Sequence, residues 1–144
     1  MSSPELERLA DLGHLKRERP GRAEFVGLVH SAEVRLADAR RMELSRESRF
    51  DLAYNAAHAL ALAALRWHGY RADKRYFVFQ ALPHTLEARA PTWRLLVKCH
   101  QERNQAEYEG LGEIDETLLA GLIEAVGWLL SKARGLPPPA ESEG

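Results

Sequence analysis

The chain has 144 residues, 45% of them hydrophobic and 28% charged, the size and balance of one ordinary globular domain. A formal net charge of −1 removes any global electrostatic pull toward nucleic acid or a membrane surface, so an anionic partner must be met by a local patch. The single cysteine, Cys99, excludes internal disulfides and multi-cysteine zinc sites and points to a reducing, cytoplasmic setting.

Met1 to Leu15 carries Glu5, Glu7, Arg8 and Asp11 with no unbroken apolar run, so no secretory signal is expected. The longest apolar stretch, Ala56 to Leu65, contains His58 and falls short of the roughly 18 residues that span a bilayer, so no membrane association is expected.

Ser3-Pro4-Glu5 reads as the start of a short helix, with Ser3 as cap and Pro4 in the first turn. Pro20-Gly21 breaks the chain. From Arg22 to about Leu44, Phe25, Leu28, Val29, Ala32, Leu36 and Ala39 recur at the helical period, and Arg35, Arg40 and Arg41 suit the negative end of the helix dipole. A third helix is expected from Ser48, with Asp51 as a capping-box-like partner, to Trp67 and Gly69. Its alanines make it apolar nearly all round and place it at the centre, and one polar stripe remains: Asp51, Asn55, His58 and Arg66.

Tyr76 to Leu86 is apolar and aromatic, a run compatible with a strand but placed among helices, so a short helix with Pro83 at its end or kink is expected. Pro91 opens a further helix to about Glu109, ended by Gly110-Leu111-Gly112. Asp115 caps the last helix, with Leu118, Leu119, Leu122, Ile123, Val126, Leu129 and Leu130 as its seam. The expectation is an all-α antiparallel bundle of five or six helices without strand pairs. Residues 1–134 form one domain, and residues 135–144 a disordered, proline-rich, acidic tail.

The helix after Pro91 breaks the usual pattern. Trp93, Leu96 and Val97 share a face, and that stripe, continued at steps of three and four, reaches His100, Arg103, Asn104, Glu107 and Tyr108. A core-facing stripe that turns ionisable is where function is expected. The plain alternative is a surface ion pair between Arg103 and Glu107, four residues apart.

Three segments together resemble the HEPN-domain family (higher eukaryotes and prokaryotes nucleotide-binding). They are Arg103-Asn104-Gln105-Ala106-Glu107-Tyr108, the run from Arg49 to His58, and Phe77-Val78-Phe79-Gln80-Ala81-Leu82. The resemblance covers Phe50 to Leu130 and implies a helical bundle that dimerises. In active members an arginine and a histidine four to six residues later form a metal-independent RNase site across the dimer. Arg103 and Asn104 match the first half of that motif, but Tyr108 stands at the histidine position. An ordinary tyrosine does not exchange protons near neutral pH, so the departure favours binding over cleavage. His100, one turn before Arg103, is the geometric substitute.

His58, with Asp51 and Asn55, is a candidate second wall of the same pocket. Arg66, His68, Arg71, Lys74 and Arg75, interleaved with Tyr70 and Tyr76, form a basic run of the kind that meets a nucleic-acid backbone or simply a solvated loop. His14, His30, His68 and His84 lack ligand spacing, and Trp93 and Trp128 read as core residues. There is no phosphate-loop, dinucleotide or nucleophile-elbow signature, so neither metal nor cofactor is expected.

Three functions follow as expectations. The first is a non-catalytic or weakly active dimer that binds a nucleotide, RNA or a partner protein, such as a nucleotidyltransferase in a toxin–antitoxin-like pair. The second is a metal-independent endoribonuclease using Arg103 with His100 or Tyr108, and the third a structural interaction module.

Overall fold

The structure is a computed structural model, and it describes residues 3–109 and 114–141, of which residues 106–109 by backbone alone. The elements in order are α1 (Pro4–Asp11), β1 (Lys16–Arg17), α2 (Arg22–Ala39), α3 (Arg46–Trp67), β2 (Tyr70–Arg71), α4 (Arg75–Gln80), α5 (Leu82–Thr85), α6 (Ala90–Glu109) and α7 (Glu116–Arg134). The protein is all-α, as its periodicity predicts.

α3 is the axis of the bundle. Ala53, Ala56, Ala57, Ala61, Ala63 and Ala64 are fully buried, and their small side chains let neighbouring helices approach closely. α2 and α7 pack along α3, while α4, α5 and α6 close its other side. α7 contributes the seam of Leu119, Leu122, Val126 and Leu129, all buried. The Asp115 carboxylate accepts the Thr117 N–H at 2.6 Å, the cap its sequence predicts.

Four expectations need correction. α2 ends at Ala39, not near Leu44: the Ala39 carbonyl is taken by Arg49 Nε at 2.7 Å, so a side chain of α3 closes the helix end. α3 begins one turn earlier than Ser48, because Ser45 is the cap and accepts the Ser48 N–H at 3.1 Å; Asp51 therefore lies inside the helix and caps nothing. The aromatic run splits into α4 and α5, with Pro83 in the first turn of α5, which raises the helix count to seven among the described residues. A short strand pair also exists, with Lys16 opposite Arg71 and Arg17 opposite Tyr70 in antiparallel register. The expected stop at Gly110-Leu111-Gly112 lies outside the described residues.

The strand pair is held by a buried cation. Arg66 is 3% exposed, and its guanidinium donates to Glu24 Oε1 (2.6 Å), the Glu18 carbonyl (2.9 Å) and the Arg19 carbonyl (2.7 Å). Arg71 adds a second bond to Glu24 at 2.6 Å and one to Glu18. Burial works to raise the Glu24 pKa, but the bonds from Arg66 and Arg71 prevail and hold the carboxyl below its usual range. Gly69, at φ +90°, makes the left-handed turn from α3 into β2. No helix among the described residues is long and apolar enough to cross a membrane.

Candidate anion-binding site

α3 presents Phe50, Tyr54 and His58 at steps of four, on one stripe. Phe50 and Tyr54 are buried, with rings stacked at 6.5 Å. Phe79 of α4 closes one edge, 5.9 Å from Tyr54 and 6.1 Å from His58. His100 of α6 lies nearly parallel to Tyr54, with ring centroids 6.2 Å apart. The result is an aromatic floor with two imidazoles at its margin.

The His100 ring is fixed at both nitrogens. Tyr54 Oη lies 2.7 Å from Nδ1, and the Asn104 side-chain nitrogen lies 3.3 Å from Nε2. If the amide nitrogen donates to Nε2, the ring proton sits on Nδ1 and is donated to Tyr54; turning the amide over reverses both bonds. Either arrangement satisfies both ring nitrogens with the imidazole neutral.

Two arginines from different helices converge on Tyr54. Arg75, the first residue of α4, places its guanidinium carbon 5.6 Å from the ring centroid, and Arg103 of α6 places its own at 4.9 Å. Each such contact contributes about 0.5–2 kcal/mol. Arg75 Nη1 is buried without a hydrogen-bond partner. A buried guanidinium N–H lacking an acceptor is costly, and an anion oxygen is the group that best satisfies it.

The electrostatics agree. Burial first, then Arg75, His100 and Arg103, push the His58 pKa down to about 4. Burial, followed by Arg75 and Arg103, lowers that of His100. Among the described side chains no carboxylate contributes to either shift, and Arg75 and Arg103 supply the positive charge that does. Fixed cations, neutral imidazoles and a phenol suit the holding of an oxyanion. Among the described residues no three His, Cys, Asp or Glu side chains are grouped to hold a metal ion.

Of the residues singled out from sequence, the structure brings together His58, His100, Arg103 and Asn104. It does not add Asp51, which is exposed, or Asn55, whose amide donates to the Asp51 carbonyl at 2.8 Å. The backbone of Glu107 and Tyr108 continues α6, and their side chains lie outside the described residues. Tyr54 and Arg75 were missed as site residues. The four-residue spacing Phe50–Tyr54–His58 was the available signal for Tyr54.

The basic run around β2 is not one continuous cationic face. Arg66 and Arg71 are taken up by Glu18 and Glu24, Arg75 lies over Tyr54, and Lys74 is exposed. Comparison with protein-family models, curated proteins and solved structures gives no match to this chain.

Proposed function

We propose that the chain is a HEPN-like homodimer that binds the phosphate of an RNA or nucleotide at the Tyr54–Arg75–His100–Arg103 cluster, with little or no catalysis of its own. One observation carries this reading: the buried, unpartnered Nη1 of Arg75 sits beside the Tyr54 ring that also receives Arg103. The case against cleavage is protonic. Both His100 nitrogens are engaged within the chain, His58 is neutral near physiological pH, and arginine does not give up its proton.

An endoribonuclease is the second reading. His100 is oriented through Nδ1 by Tyr54 one turn from Arg103, and would serve as a general base where substrate displaces the longer Asn104 contact from Nε2. Tyr108 is the other candidate for that role. The resemblance of the Arg103–Tyr108 segment also supports a nucleotidyltransferase partner in a toxin–antitoxin-like system, by analogy alone. The buried, unpaired Cys99 thiol fits a cytoplasmic setting for either reading.

The two readings separate when purified protein is incubated with mixed RNAs in chelator beside Arg103→Ala. The proposal expects RNA retention that the variant loses, with no cleavage by either protein. Chelator-resistant cleavage that disappears in Arg103→Ala would establish the nuclease instead.

A further inference from the structure

A second surface, remote in sequence from Tyr54, is built around Trp67. The segment after α7, Gly135 to Glu141, contains Pro137-Pro138-Pro139 and has no helix or strand. Leu136 nevertheless packs against the core, and the Pro137 carbonyl accepts the Trp67 indole N–H at 2.7 Å. Trp67 is half-buried at the end of α3, edge-on to His68 at 4.9 Å.

Beside it opens a groove of about 420 Å³, with walls that include Trp67, His68, Thr85, Glu87, Lys132 and Leu136. Its walls also include His84 and Ser131, which can donate or accept, and its fixed donors are the Trp67 indole and the Lys132 ammonium. The indole and the ammonium only donate, and the Thr85 hydroxyl, on a residue 6% exposed, is buried without a partner. His68 already spends its Nε2 proton on the Thr85 carbonyl at 3.0 Å. Glu87, the acceptor-only side chain among these, is exposed.

A proline-rich strand is the complementary ligand. In the polyproline II conformation it has no internal hydrogen bonds, its prolines have no N–H, and its carbonyls point outward. Aromatic grooves read such strands by packing on the rings and donating to those carbonyls.

We propose that the Trp67 groove recognises proline-rich segments of a partner protein, and that the chain's own Pro137–Pro139 run occupies its rim in cis. The tethered run competes at an effective concentration on the order of millimolar.

The test titrates a synthetic peptide of residues 135–141 into the full chain while the Trp67 indole N–H resonance is followed. A second titration uses the full chain with Pro137→Gly, Pro138→Gly and Pro139→Gly combined. The proposal expects a saturable shift in both, about tenfold tighter in the triple variant because the cis competitor is removed. It also expects no saturable shift with a peptide carrying glycine at the three proline positions. Absence of a shift in the triple variant, or equal binding of the glycine peptide, overturns the recognition. Equal affinity for the two chains overturns the cis occupancy. Trp67→Phe keeps a ring and loses the donor, so undiminished peptide affinity in that variant, read by titration calorimetry because the indole resonance is gone, would likewise defeat the role given to the indole.

Discussion

Tyr54 holds the His100 ring from a fully buried position and offers its own face to two guanidinium groups. That geometry makes the neighbouring imidazoles reporters of the local field. His58 has its pKa lowered from 6.5 to about 4 in the folded chain, chiefly by burial. Below pH 6.5 the unfolded chain takes up a proton that the folded chain refuses. The stability is therefore fully present above pH 6.5 and is lost as pH falls toward 4, by about 3 kcal/mol in all at 1.36 kcal/mol per pH unit. Urea unfolding at pH 7 and pH 5 should show a loss of about 2 kcal/mol from this group, and His58→Leu should remove most of that difference. An equal pH dependence in the variant would refute the assignment. His100, Arg103 and Asn104 were legible because they turn the apolar stripe of α6 polar, and His58 because it sits on the one polar stripe of the otherwise apolar α3. Asp51 and Asn55 were misread because steps of four and three from them also reach His58, while the inward stripe runs one residue earlier, through Phe50 and Tyr54. Arg75 was visible only as part of a basic run, since its role depends on where α4 docks.

The helices were legible as elements because their apolar spacing and caps are local properties. Their ends were less so. The α2 terminus is closed by Arg49 from the next helix, and the strand pair joins residues 16–17 to residues 70–71, so neither is written in a local window. Arg66 illustrates the same limit: read as one residue of a polar stripe, it is the buried cation that ties the Glu18–Arg19 backbone to α3. Arg66→Ala should destabilise the fold by about 3 kcal/mol in chemical denaturation, the low end for a broken buried pair, because Glu24 keeps Arg71 and is partly solvated. Arg71→Ala, at a side chain 36% exposed, should cost about 1 kcal/mol or less. Equal losses would show that burial of Arg66 is not what gives the clamp its strength.

The bundle as a whole follows from summed periodicity, which is why an all-α architecture could be anticipated without the packing. The site could not, because it is assembled from α3, α4 and α6, whose mutual placement no single stripe encodes. The HEPN-like reading makes one demand on the intact molecule. Light scattering should give the mass of a dimer, and a strict monomer at high concentration would remove the case for a composite site. The central claim, that the cluster around Tyr54 binds phosphate, is tested most directly by fluorescence anisotropy of a short single-stranded RNA, titrated with the wild-type chain and with Arg75→Ala across a range of salt. The account predicts binding that weakens as salt rises, with Arg75→Ala binding about tenfold more weakly and with a log–log salt slope shallower by about 0.7. Affinity and slope unchanged by Arg75→Ala would contradict it.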